Sequence, residues 1–480
     1  MTTNATPHPT HFRLTDGVVL GFAAELILLP TGLVTAAVLT RTLGPRGYGL
    51  FSVAATFITW IAVTTTTLLA RAAVKFVSET DEWRPVATGV LRWRLAIGAA
   101  MALAVAAAAV PIARLLGEAT LAPYLAVFAI DVLLFNLVRA YRDVLTGRGR
   151  FREVAALSAA RWTARLVFIV VLVRLTGSVM GAVVGSVCAT VVELLVARWR
   201  QRIPLRGHST VTRSMLWSVA APLMIYGVSQ QLFGRIDLFA LSALSHSPVD
   251  AGLYAAAQNL SVAPGLFAMA IGPLLLATLA RLRRSGAENE ARRVGHIALR
   301  VSIALVPLAA IVAGAASEIV RVIFGASFTA SGPLLAVLFA GSVALAIMSV
   351  AVSIITAIDR QRVVSVLGLV VLGAAIVGHL VMIPRFGAEG AAIVTTVCGV
   401  LGALASLVFV HRMWGVHAYA TMARAAVLAL PAYWLAARVA GMGLVVLLLA
   451  LGLITLAVAI AFVALGELRS RVPSSSSARA

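Results

Sequence analysis

Apolar residues run through this chain in uninterrupted stretches of about twenty, not in the alternating or one-sided patterns of a water-soluble fold. Twenty helical residues rise about 30 Å, the thickness of a bilayer's hydrocarbon core. Fourteen stretches are predicted to cross a membrane: 17–40, 50–70, 95–116, 121–141, 154–173, 178–197, 214–242, 252–280, 296–316, 332–358, 363–383, 388–410, 422–440 and 442–466. The expected fold class is all-α, a polytopic membrane protein. The polar leader Met1 to Asp16 has no basic n-region and no small-residue cleavage site, so the first span is expected to stay as an anchor. Composition agrees, since 61% apolar and 12% charged residues exclude a soluble domain of this length.

The stretches are not independent of one another. A gapless shift of 210 residues superimposes Pro123–Arg202 on Pro333–Arg412, with 19 of 80 positions identical. It pairs Gly177 with Gly387 and Cys188 with Cys398, the only two cysteines. A weaker match at a shift of 203 sets Gly44–Phe51 against Ser247–Tyr254. Six spans per copy is an even number, so both copies enter the membrane from the same side, as parallel repeats do. The expected organisation is a six-helix lobe over 1–197, a linker over 198–213, and a second six-helix lobe over 214–410. An extra helix pair over 411–466 and a tail of disordered composition over 467–480 complete it.

Charge changes the picture only through its placement. A net charge of +21 would point to nucleic acid in a soluble protein. Here 22 lysines and arginines fall in loops after even-numbered spans and five arginines in loops after odd-numbered ones. That asymmetry puts both termini in the cytoplasm and makes anionic lipid the partner of the basic excess, with no nucleic acid. Lys75 is the only lysine, a codon bias expected of a bacterial source. Two cysteines inside apolar segments offer neither a disulfide framework nor a metal pattern, and no cofactor is expected. The connections Arg71–Arg94 and Arg281–Arg300 mix charge with spaced apolar residues and are expected to form interfacial helices.

Ionisable groups inside spans cost at least about 2.5 kcal/mol each unless paired or hydrated. Seven stand there: Glu25, Asp131, Arg161, Arg165, Glu193, Arg235 and Asp237. By depth, Asp131 is expected to pair with Arg165, and Glu193 with Arg161. At the shifted positions stand Gly341, Ala375, Ala403 and Val371, so all four charges vanish together, as mutually dependent structural pairs would. Arg235 and Asp237 lie two residues apart on a helix and face different ways. Arg235 shares a face with Gln231, and a guanidinium there suits a phosphate, to which it donates paired hydrogen bonds.

The segment Arg41-Thr-Leu-Gly-Pro-Arg-Gly-Tyr-Gly-Leu-Phe51 resembles the turn that ends the first span of the polysaccharide transporter family, the oligosaccharide flippases. That family belongs to the multidrug/oligosaccharidyl-lipid/polysaccharide exporter superfamily. Ala251-Gly-Leu-Tyr-Ala-Ala-Ala-Gln-Asn259 is a second match. The resemblance implies a cleft lined by spans one, two, seven and eight. It would place Arg235, Gln231, Asn259 and Glu25 along a substrate pathway, with Asp237 or Glu25 as candidates for ion coupling. The implied function is transport of a polyprenyl-pyrophosphate-linked oligosaccharide from inner to outer leaflet by alternating access, alongside polysaccharide polymerase or export machinery. A cation-coupled exporter of drugs or metabolites, which would use Glu25, is the alternative. A glycan polymerase or ligase fits poorly, because the longest outward loop, Ser317–Ser331, is short. No catalytic residue is assigned.

Overall fold

The structure, a computed structural model, describes residues 28–205, 235–415 and 419–464. Every regular element among them is a helix, and no strand occurs among the described residues. The chain divides into two compact units, Met1–Gly252 and Leu253–Ala480.

The first unit begins with α1 (Leu28–Ser78). Fifty-one helical residues would reach about 76 Å, more than twice the hydrocarbon thickness. Gly44 resolves this: at φ 65° and ψ −179° it leaves the helical region and divides α1 into two spans. Pro45 follows, where its missing N–H costs nothing because a new helix is starting. Then come α2 (Trp83–Ala107), α3 (Ala109–Leu115), α4 (Ala122–Gly147), α5 (Phe151–Thr176) and α6 (Val179–Arg200). Helix α1 packs on α4 and α5, α2 on α4, and α6 on both α4 and α5. A core of Leu69, Val77, Val90, Leu91, Tyr141, Leu145, Leu157 and Ile203 joins their ends on one side. Helix α7 (Ile236–Ser245) and the first turn of α8 (Pro248–Leu260) also belong to this unit.

The second unit holds the rest of α8, then α9 (Ala263–Arg284), α10 (Glu288–Ile303), α11 (Leu305–Gly314) and α12 (Ala316–Phe324). Helices α13 (Ser331–Ala357), α14 (Gln361–Trp414), α15 (Tyr419–Val439) and α16 (Leu444–Ala464) follow. Helix α14 repeats the device of α1: its 54 residues are divided at Gly387, φ 52° and ψ −129°. Gly177, the shifted counterpart of Gly387, ends α5 at φ 59°. Helix α13 packs on α14, α9 and α11, while α11 packs on α15 around Ile311, Ala315, Ala432 and Ala436.

Ten described helical stretches are long and apolar enough to cross a membrane, and the divided helices α1 and α14 supply two crossings each. Shorter apolar helices, Ile236–Ser245 and Leu448–Phe462, stand where the seventh and fourteenth spans are expected. Arg71–Arg94 does not form one separate helix: α1 runs to Ser78 and α2 starts at Trp83. In Arg281–Arg300, α9 runs to Arg284 and α10, Glu288–Ile303, is a helix of its own that carries the remaining charges. Arg94 is even fully buried. Of the expected linker over 198–213, residues 206–213 lie outside the described ones.

Candidate functional site

The turn that carries the resemblance lies at a helix crossing of unusual closeness. Glycines permit it. A Cβ placed on Gly49 would overlap the Pro248 carbonyl oxygen and stand 2.8 Å from the Gly252 nitrogen. A Cβ on Gly252 would overlap the Pro45 carbonyl oxygen and stand 3.0 Å from the Gly49 nitrogen. The contact is therefore reciprocal, and Pro45/Gly49 correspond to Pro248/Gly252 under the shift of 203. Small residues let helix backbones touch in this way, where dispersion and weak polar contacts replace the hydrophobic drive that lipid cannot supply. Around it Tyr48, Leu50, Phe51 and Ala251 are buried.

The two sides of the crossing start differently. Ser247 caps α8, its Oγ accepting the Asp250 N–H at 3.2 Å. Asp250 is half-buried, and burial raises its carboxyl above the usual carboxylate range, partly offset by a side-chain hydrogen bond to Ser247. The Ser247 N–H itself donates to Ser245 Oγ at 3.3 Å. The segment before α8 is tied down as well. Ser242 donates to the Leu116 carbonyl at 2.7 Å, and Phe239 packs against Phe57 and Trp60 at 6.1 and 6.0 Å between ring centroids.

Of the expected pathway residues, Glu25 and Gln231 lie outside the described residues. Arg235 stands immediately before α7 with an exposed side chain. Asp237, two residues on, is buried, and its carboxylate accepts the Leu238 N–H at 2.8 Å. Asn259 is exposed near the end of α8. Arg235 and Asp237 belong to the first compact unit and Asn259 to the second.

The four charges expected to pair do so only in part. Glu193 on α6, fully buried, meets Arg161 of α5 at 3.3 Å. It also accepts from Nε of Arg142 on α4 at 2.7 Å, a partner the sequence reading did not name. Asp131 and Arg165 form no ion pair. Asp131 Oδ1 is buried with no hydrogen-bond partner among the described residues, and Thr190 Oγ1 of α6 donates to the Ser186 carbonyl at 3.4 Å. The Arg165 guanidinium lies 5.7 Å from the Trp162 ring on its own helix.

A second buried pair was also missed. Arg94 of α2 binds the Asp143 carboxylate of α4 and the Thr66 carbonyl of α1, the latter at 3.2 Å. Two turns back along α4, Asn136 donates to Thr65 Oγ1 at 3.1 Å. The signal was present in Arg142 and Asp143, which follow the apolar stretch without a helix breaker. Counting only charges inside apolar windows excluded them. Among the described residues no group of three or more His, Cys, Asp or Glu gathers to hold a metal.

Divided helices, glycine crossings and ion pairs buried inside a helical bundle define a polytopic membrane protein with a carrier-type fold. Residues 14–276, more than half of the chain, match the model of the polysaccharide biosynthesis protein family, and the protein belongs to that family. No curated protein matches it in sequence. Its structure is similar to that of the lipid II flippase MurJ in an inward closed conformation. The TM-score is 0.74 at 15% identity, covering 93% of this chain and 98% of the flippase. An inward-facing multidrug resistance transporter of the MATE family aligns at TM-score 0.58 and 14% identity, covering 87% and 98%. A transporter of the same superfamily from Pyrococcus furiosus aligns at 0.57 and 12%, covering 87% and 95%. At such identities the likeness concerns the fold.

Proposed function

We propose that this protein carries a lipid-linked oligosaccharide, a precursor of a surface polysaccharide, from the inner to the outer leaflet of the cytoplasmic membrane, and that it is not an enzyme. The observation that carries this reading is membership of a polysaccharide biosynthesis family by a chain with a transporter fold. In this reading the sequence is an internal duplication whose lobes, 1–197 and 214–410, rock to alternate access, with both termini cytoplasmic. The sugar occupies the cleft while the polyprenyl tail stays in lipid. Arg235, exposed immediately before α7, holds the pyrophosphate through paired charge-assisted hydrogen bonds. Gln231, Asn259 and Glu25 line the pathway, and Asp237 or Glu25 carries a coupling ion.

A deletion strain should accumulate the lipid-linked sugar in its inner leaflet and lose the surface polysaccharide. Arg235→Ala, at normal membrane abundance, should reproduce that loss. Intact export by Arg235→Ala would remove the phosphate role, and normal surface polysaccharide in the deletion strain would remove the flippase reading.

The similarity to multidrug transporters supports a second reading, a cation-coupled exporter of small molecules. Substrate-stimulated ion exchange in liposomes, with surface polysaccharide unaffected by deletion, is its expected signature.

A further inference from the structure

We propose that the basic end of α6 forms a binding site for the headgroup of an anionic phospholipid. A cavity of about 550 Å³ opens there, lined by Leu195, Arg198, Trp199, Arg202, Ile203 and Pro204. Leu195, Arg198 and Trp199 recur at i, i+3 and i+4 and stand on one face of α6, while Arg202 follows the helix end at Arg200 and its extended Gln201. Among the described residues no acidic one lines the cavity. Two guanidinium groups facing no carboxylate define a site for a phosphate, to which arginine donates paired hydrogen bonds.

Depth makes the ligand a lipid. Helix α6 starts at Val179, and the nineteen steps to Arg198 rise about 28 Å, close to the full hydrocarbon thickness. The arginines therefore reach headgroup level at the end of a crossing. Trp199, 72% exposed, stands at the depth where indoles gather at a membrane interface. Leu195 and Val191 continue an exposed apolar strip one and two turns back toward the membrane interior, the path of an acyl chain. Basic pockets at this level on the cytoplasmic side are the usual receptors for anionic headgroups.

The site is built, not an accident of an open helix end. Arg92 of α2 donates through Nε to the Leu205 carbonyl at 2.7 Å, which ties down the segment after α6. Arg198 reaches the Tyr141 hydroxyl of α4 at 3.5 Å, and the Arg200 guanidinium lies 5.3 Å from the Trp199 ring. The other half of the molecule supplies an internal control. A groove of about 380 Å³ includes Ala405 and Phe409, which stand 210 residues after Leu195 and Trp199. Arg198, however, corresponds to Val408, and only Arg362 brings charge to that groove. Arg202 corresponds to Arg412, which does not line that groove, so two arginines line the cavity at the end of α6 and one lines the groove in the other half.

The inference rests on charge and depth, not on the transport reading, so either can fail alone. Native mass spectrometry of the full chain in detergent, titrated with phosphatidylglycerol or phosphatidylcholine, tests it. We expect one preferential phosphatidylglycerol adduct. Arg198→Gln with Arg202→Gln should weaken it by about tenfold at an unchanged melting temperature, with phosphatidylcholine unaffected. Arg362→Gln should leave it intact. If the glutamine variant does not fold, Arg198→Lys with Arg202→Lys takes its place, retaining charge but losing the paired geometry, and should show a smaller loss. Unchanged phosphatidylglycerol adducts in whichever variant folds would overturn the proposal. So would displacement by millimolar inorganic phosphate, which would make this a free-anion site. Stronger binding of a polyprenyl phosphate than of phosphatidylglycerol would overturn the phospholipid assignment in favour of a substrate lipid.

Discussion

Where the first half of the molecule holds Glu193 between Arg142 and Arg161, the corresponding positions of the second half are Ala403, Val352 and Val371. The helices concerned, α4 to α6 and α13 to α14, pack on one another in both halves. They do so by different physics. In the second half, α13 and the last part of α14 approach through small residues. A Cβ on Gly341 would stand 2.6 Å from Thr396 Oγ1, and one on Gly402 would stand 2.7 Å from Met348 Sδ. Thr396 donates across the crossing to the Val337 carbonyl at 2.8 Å. In the first half Gly341 is replaced by Asp131, and ion pairs join α6 to α4 in place of that glycine contact, while α5 and α6 still touch closely at Gly185, where a Cβ would stand 2.9 Å from the Ile169 backbone. Polar groups add specificity only when fully paired, and a buried pair contributes little net stability over apolar packing. The comparison teaches that one helix arrangement has two solutions, and that the charged one depends on all its members.

That dependence can be broken. Glu193→Ala alone leaves Arg142 and Arg161 buried against no carboxylate, and is expected to cost about 3–5 kcal/mol, seen as a collapse of thermal stability in detergent. Introducing Arg142→Val and Arg161→Val with it installs the residues of the second half and should restore most of the loss. A triple variant no more stable than the single one would show that the halves are not interchangeable.

The glycine crossing provides a gentler probe, because there the halves agree. Gly49→Ala and Gly252→Ala each drive a methyl into a backbone carbonyl that no rotamer change can move, so each is expected to cost about 1–3 kcal/mol. The two losses should be similar, and the double variant should lose less than their sum, since separating the helices once relieves both overlaps. Strict additivity in melting measurements would refute the reciprocity.

The smallest effect concerns the one charge at that crossing. Asp250 corresponds to Gly47 in the first half. Its carboxyl is raised by burial, so the folded protein holds the proton more tightly than the unfolded chain. The associated stability is present below the ordinary carboxylate pKa and is lost as pH rises through the raised value. Asp250→Asn should therefore raise the melting temperature slightly at pH 7, by less than about 1 kcal/mol given its exposure, and give no gain near pH 3.5. An equal gain at both pH values would mean that something other than this ionisation is responsible.

Much of the fold was legible because its determinants are local. A twenty-residue apolar stretch predicts a crossing helix whatever surrounds it, and Gly44 and Gly387 mark where two crossings must be separated. Arg161 and Glu193 were legible as partners because each would be costly alone at membrane depth. Arg94, Arg142 and Asp143 were not, since they lie where apolar stretches end and only the neighbouring helices decide whether such residues meet lipid, water or protein. The same reason explains Asp131: depth made Arg165 its expected partner, but whether the two meet depended on how α4 and α5 rotate about each other.

By itself, then, the sequence determined the all-α polytopic class, the order of the apolar stretches, the glycine breaks, its own self-similarity and the family resemblance. These follow from short-range energetics, the transfer of apolar residues out of water and the backbone freedom of glycine. Only the tertiary structure decided that Gly49 and Gly252 touch, that Glu193 takes two arginines and that Arg198 and Arg202 share a cavity. Those outcomes turn on ångström-scale helix rotations, to which hydrophobic periodicity is blind and to which hydrogen bonds and steric overlap are acutely sensitive.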